Sequence, residues 1–222
     1  MKRIAIAVSV GLNVLFVVAL IGIYAGAASG YIISAFIQPA HERWVSQFGE
    51  LPVAPGDTVF LGDSITEGGS WHELFPDLAV RNRGIGGDVT AGVLARLDQV
   101  TRGKPARVFL LIGTNDIAFG VSEDDIVANV MQIVARIETE SPDTQVYVQS
   151  VLPRAVDYRA SVEALNARLR DGLQDRAKWI DLYPAFIDAQ DGSIDDAYSN
   201  DELHLNGAGY ALWRTQLTPY LN

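Results

Sequence analysis

Cysteine is absent from the 222-residue chain. That excludes a disulfide framework, a thiolate metal site and a cysteine nucleophile. The redox compartment stays open on this ground, although a cysteine-free chain suits an oxidising space. Histidine occurs only 3 times, so imidazole chemistry is confined to His41, His72 or His204. Cationic side chains are also in deficit, with Lys+Arg 17 against Asp+Glu 27 and a net charge of −10. A nucleic-acid partner needs a basic footprint that this chain lacks. Internal repeats are missing, and so is any low-complexity tract beyond the N-terminal segment.

The most marked local absence is of charge. After Lys2 and Arg3, the run from Ile4 to Ile37 holds no charged residue. About 20 helical residues span the hydrocarbon core of a bilayer, so this run is long enough to cross. A cleaved signal peptide is the rival reading, with Ala25-Gly26-Ala27 as the cleavage site. An uncleaved transmembrane helix also accounts for the excess length and for the apolar "YIISAFI" beyond that site. Residues 1–37 are therefore expected to be a membrane anchor, with a cleaved signal segment as the alternative. Lys2 and Arg3 would stay cytoplasmic, which puts the rest of the chain outside the cytoplasmic membrane.

What is present beyond that point is an alternation. Residues 38–57 read as an amphipathic connector helix and a Pro/Gly linker. From residue 58 to 222, short apolar runs alternate with helical patterns. "TVFLGD", "LAVRNRG", "ARVFLLIGTND", "TQVYVQSVLP" and "KWIDLYP" read as strands. Between them, Val93, Leu94, Leu97 and Val100 mark one helical face. Ile126, Val130, Ile133, Val134 and Ile137 mark a second, opened by Ser122 and Asp125 in the manner of a capping box. Val162, Leu165, Leu169 and Leu173 mark a third, and residues 206–221 close the chain as a helix. Such alternation predicts an α/β fold with a five-stranded parallel sheet covered by helices on both faces. Ligands of such sheets bind at the carboxyl ends of the strands.

Polar residues gather at those ends. Gly62-Asp63-Ser64 follows the first strand, "RNRGIGGDVT" the second and "GTND" the third, while "NDELHLN" precedes the last helix. Acyl transfer by serine needs a hydroxyl, an imidazole to take its proton and a carboxylate to hold the imidazole. It also needs donors where the oxyanion forms. Ser64, His204 and Asp201 supply the first three. The backbone N–H groups of Ser64 and Gly87 and the side-chain amide of Asn115 are available donors. Each motif alone reads more readily as a turn or a polar loop; their joint order on an alternating chain favours a site.

"FLGDSIT", "NRGIGGDVT", "IGTND" and "DELHLN" together resemble the four sequence blocks of the SGNH, or GDSL-like, hydrolases. The resemblance covers roughly residues 55–221, and it extends to bacterial esterases similar to the catalytic subunits of platelet-activating-factor acetylhydrolase. It implies a three-layer flavodoxin-like domain, esterase or lipase chemistry, and neither metal nor cofactor. Carried over by position, it implies that Ser64 is the nucleophile, that Asp201 and His204 complete the triad, and that Ser64, Gly87 and Asn115 form the oxyanion hole. The rival G-x-S-x-G motif is absent, because Thr66 stands where its second glycine would be.

The remaining polar residues are assigned lesser parts. His41 and His72 are read as surface residues, and Asp63 and Asp116 as braces for the site loops. Asp191, Asp195 and Asp196 lack the spacing of a calcium loop and read as solvated. Trp71, Phe75, Ala118 and Phe119 are expected to line the acyl pocket. Short rim loops without a lid insertion favour short acyl groups, acetyl first. The expected partner is an ester substrate, an O-acetylated glycan or a (lyso)phospholipid. An O-acyltransferase acting on envelope glycans, or a lysophospholipase or thioesterase for longer acyl groups, is the alternative.

Overall fold

The computed structural model describes residues 37–221. The expected anchor or signal segment lies outside the described residues but for Ile37. Among the described residues, no helix is long and apolar enough to cross a membrane. The chain divides into two units, residues 1–43 and 44–222, and the second holds the sheet.

The five strands are β1 (Thr58–Gly62), β2 (Val80–Gly84), β3 (Arg107–Leu111), β4 (Gln145–Gln149) and β5 (Lys178–Ile180). All pair in parallel, in the order β2-β1-β3-β4-β5. Every strand therefore ends on the same rim. The register sharpens this, because Gly62 lies level with both Gly84 and Leu111. Asp63-Ser64, Gly86-Gly87 and Thr114-Asn115 thus leave adjacent strands at one height.

Period-2 alternation sends strand side chains to opposite faces, and each face has its own core. Val59, Leu61, Val108, Leu110, Val146 and Val148 pack with the stripe of α7 (Glu123–Glu140) and with Val162, Leu165 and Leu169 of α8 (Arg159–Leu173). The opposite face is aromatic. Phe60, Phe109 and Tyr147 are register partners on three neighbouring strands, with ring centroids 5.3 and 4.5 Å apart. Trp71, Trp213 and Leu217 cover them. The outcome is the expected three-layer α/β arrangement. Ser122 caps α7 as its sequence suggested, its hydroxyl accepting from the Asp125 N–H.

The remaining helices are α1 (Gln38–Glu50), α2 (Ser64–Glu67), α3 (Trp71–Leu74), α4 (Thr90–Ala95), α5 (Asp98–Thr101), α6 (Thr114–Ala118), α9 (Tyr183–Phe186) and α10 (Gly207–Leu217). Two details depart from the sequence reading. The single helix expected through Val93 and Val100 is broken into α4 and α5. The break falls at Arg96, whose guanidinium turns inward to bond Asp88, Gly62 O and Arg83 O. The connector also reaches the domain: Arg83 lies 4.6 Å over the Phe48 ring and donates to Leu51 O, and Gln99 donates to Val45 O.

Candidate active site

Strand β1 stops at Gly62, and Asp63 turns the chain. Its Oδ1 accepts the Ile65 N–H at 3.0 Å, which caps α2 and makes Ser64 the first helical residue. The α2 backbone lies directly on β2. A Cβ on Gly84 would come within 2.1 Å of Glu67 N, so only glycine permits that approach.

Across the rim, His204 reaches Ser64. Its Nε2 is 3.0 Å from Ser64 Oγ, and its Nδ1 is 2.7 Å from Asp201 Oδ2. With Nδ1–H donating a hydrogen bond to the carboxylate, Nε2 presents a lone pair to the serine hydroxyl. Asp201 also shapes its own loop, because Oδ1 accepts the N–H groups of Leu203 at 3.0 Å and His204 at 2.7 Å. Partial burial acts to raise the Asp201 pKa. The bonds from His204 and Leu203, with the His204 charge, outweigh it and bring the carboxyl down to about 2. It is therefore ionised at every pH at which the histidine can act as a base.

The third part of the site is the turn after β2. Gly87 has φ +76°, a left-handed conformation natural to glycine. Among the described residues no acceptor meets the N–H of Ser64 or of Gly87. Asn115 donates one N–H to Asp88 O at 2.9 Å, leaving its second amide hydrogen for a ligand. Three donors are thus available, two of them without a protein acceptor.

That turn is held by Asp116, as expected, and by Glu67, Arg96 and Asn129, to which the sequence reading assigned no part. Glu67 Oε2 accepts the Gly86 N–H at 2.5 Å. Asp88 and Arg96 form an almost fully buried ion pair at 2.8 Å, of the kind whose one-sided removal costs about 3–5 kcal/mol. An arginine within the apolar "VLARL" was the available signal. Asp116 accepts from Thr90 N and Thr90 Oγ1, and Asn129 donates to that hydroxyl. Asp63 and Asp116 brace their loops as expected.

Two of the buried acids, Asp63 and Asp116, are shifted upward. Burial pushes Asp63 up to about 7, and the charges of Asp88 and Asp116 add to it against the bond from Ile65. Burial likewise raises Asp116, opposed by its bonds from Thr90. Asp63 Oδ2 has no hydrogen-bond partner, in keeping with a carboxyl that holds its proton near neutrality.

Four expectations need correction or placing. Trp71 and Phe75 do not line an acyl pocket. Trp71 is 1% exposed and stacks on Phe60 at 3.9 Å, with its indole N–H bonded to Thr66 O. Phe75 is buried in the same core, and the groove of ≈ 220 Å³ beside it includes none of Ser64, Asp201 and His204. Ala118 and Phe119 are exposed at the C-terminal end of α6. His72 is exposed beside Glu73, while His41 is half-buried on α1. Asp191 and Asp195 accept N–H groups two residues ahead, closing their own turns.

The sequence profile of the GDSL-like Lipase/Acylhydrolase family matches residues 60–212. The chain belongs to that family. It is 32% identical over 166 residues to platelet-activating factor acetylhydrolase IB subunit alpha1 of Pongo abelii, covering 70% of this chain and 71% of that protein. To the alpha2 subunit of Homo sapiens it is 31% identical over 185 residues, 77% of this chain and 80% of that one. The solved GDSL-like lipase of Bacteroides thetaiotaomicron superposes with a TM-score of 0.72 at 23% identity, covering 81% and 96% of the two chains; that likeness concerns the fold. This GDSL-family protein is accordingly a carboxylic ester hydrolase.

Asn115→Ala tests the third donor. It is expected to lower kcat for ester hydrolysis by about 10²–10³-fold, the range for a lost oxyanion donor. Steady-state kinetics with a chromogenic acetate ester reads it; a change under twofold removes Asn115 from the site.

Proposed function

We propose that the protein is a serine esterase for short-chain, acetyl-type esters, acting through Ser64, His204 and Asp201. The relay from Ser64 Oγ through His204 to Asp201, at 3.0 and 2.7 Å, is the observation that supports it. In this reading His204 Nε2 takes the Ser64 proton as Oγ attacks the ester carbonyl. The oxyanion is held by Ser64 N–H, Gly87 N–H and the Asn115 amide. Collapse expels the alcohol, protonated by His204, and leaves an acyl-serine. Water, deprotonated by the same histidine, then releases the acid.

The acetyl preference draws support from three sides. The relatives at 31–32% identity have acetylhydrolase in their names. Two of the side chains expected to line the acyl pocket, Trp71 and Phe75, belong to the core instead. His204 and Asp201 are 44% and 48% exposed at the side chain, which suits a large alcohol approaching from an open rim. Residues 1–37 would anchor the domain outside the cytoplasmic membrane, among envelope glycans and lipids.

A panel of 4-nitrophenyl esters from acetate to palmitate, assayed on the full chain in membrane and soluble fractions, tests this reading. Turnover should be greatest for acetate, fall by about tenfold or more at longer chains, a loss of some 1.4 kcal/mol in barrier terms, and sediment with the membranes. A rise in kcat/KM with chain length would overturn the acetyl preference, and activity confined to the soluble fraction would overturn the anchor.

A further inference from the structure

Two of the oxyanion donors come from separate loops, and one side chain joins those loops. The Ser64 N–H opens α2, whereas the Gly87 N–H belongs to the turn of residues 85–88. That turn closes with the Asp88 N–H on Ile85 O at 3.1 Å and carries Gly87 at φ +76° in its third position, the pattern of a type II turn. The Ile85 N–H is taken by Gly62 O at 3.1 Å and the Gly86 N–H by Glu67 Oε2 at 2.5 Å. Among the described residues, the Gly87 N–H is the one in this turn left without an acceptor.

Glu67 is the last residue of α2, three after Ser64, and that spacing sets both side chains on one face of a helical turn. A Cβ on Gly86 would stand 3.0 Å from Glu67 Oε2 and 3.9 Å from Ser64 Cβ, so turn, carboxylate and nucleophile pack against one another. Successive glycines give the backbone little restraint of its own, and the turn takes its position from outside contacts. Arg96 holds Asp88 at its far end, and Glu67 holds Gly86 at its near end. The α2 backbone does not rely on this carboxylate. Asn82 Nδ2 donates to Glu67 O at 2.9 Å and to Gly69 O at 3.2 Å, and the Tyr210 hydroxyl donates to Ile65 O at 2.8 Å.

We propose that Glu67 is a positioning residue for the oxyanion hole: its side chain holds the Gly86-Gly87 turn at the distance from Ser64 where both backbone N–H groups meet one oxygen. This rests on the esterase reading above. Oxyanion donors act at about 2.7–3.1 Å from the developing charge, and a displacement of about 1 Å costs about 10²-fold. Substrate binding makes no such demand, so the effect belongs to kcat and not to KM.

Glu67→Ala, Glu67→Asp and Glu67→Gln in the full-length protein test this with 4-nitrophenyl acetate. In the alanine variant kcat should fall by about 30–100-fold, with KM within about threefold of the parent. Aspartate keeps the charge but is one methylene short of Gly86, and it should lose as much. Glutamine keeps the reach and an acceptor oxygen, and should stay within about fivefold of the parent. Trifluoroacetone supplies a second readout, because its adduct with Ser64 places an oxyanion in the hole. Its Ki should rise in step with the loss of kcat/KM. A merely structural role would shrink the folded fraction, lowering kcat and leaving Ki unchanged. If the alanine variant fails to fold, the aspartate and glutamine pair decides. A loss of about twofold or less in alanine, a loss carried by KM, a constant Ki, or an aspartate variant faster than glutamine would overturn the proposal. Abolished turnover in Ser64→Ala reports separately on the esterase reading.

Discussion

Ser64→Ala is expected to lower kcat on a 4-nitrophenyl acetate substrate by about 10⁴- to 10⁶-fold, because the acyl-enzyme can no longer form. The residual rate would come from the oxyanion donors and from binding. Stability should hardly change. The Ser64 side chain makes one hydrogen bond, to His204 Nε2, and the start of α2 is capped by Asp63 instead. Thermal unfolding of the variant should therefore coincide with that of the parent to within about 2–4 °C, the shift expected of a contact worth under 1 kcal/mol. Near-parental turnover would remove Ser64 as nucleophile. A collapsed Tm would show that the serine is a structural residue.

Asp201→Asn should reduce kcat by about 10³-fold with KM little altered. Asparagine at that position fits the wrong histidine tautomer, which in buried triads lowers kcat by about 10⁴. Here the carboxylate side chain is 48% exposed, so water can take part of its role and the loss is smaller. The pH dependence has a defined sign. The native carboxyl titrates at about 2, below its ordinary 3.8. Its stabilising contribution is therefore complete above pH ~4 and is lost as pH falls toward 2. Between pH 5 and 9 the ionisation of Asp201 is constant, so the Asp201 carboxyl itself adds no step to the parent's kcat–pH profile in that range. Near-parental kcat in Asp201→Asn at every pH would show that Asp201 does not orient His204.

The parts of this protein legible in its residues were those governed by local rules. A strand buried on both faces reads as a continuous apolar run, and β1, β3 and β4 emerged where such runs stood. Ser122 and Asp125 announced the start of α7 because a cap is a contact between near neighbours. The site residues were legible for another reason. Gly62-Asp63-Ser64, Gly86-Gly87, Asn115 and His204 each follow a strand or precede a helix, and parallel pairing turns that position along the chain into one rim.

What escaped was set by distance in sequence. Trp71 and Phe75 stood close enough after Ser64 to suggest a substrate pocket, but the aromatic row of Phe60, Phe109 and Tyr147 lies beneath them and takes both into the core. Arg96 sat on a helical stripe that should have run unbroken. The helix instead ends there, and a buried guanidinium joins Asp88 to the carbonyl ends of β1 and β2.

The chain's own order of residues determined the alternating strands and helices, the family, and the side chains available for acyl transfer, because each depends on contacts within a few residues or on a pattern of periodicity. Only the folded sheet decided that Ser64 and His204, 140 residues apart, meet at 3.0 Å, and that Arg96 turns inward to a buried ion pair with Asp88. Those outcomes depend on register between strands and on which groups lose their water, and neither quantity exists until the layers close.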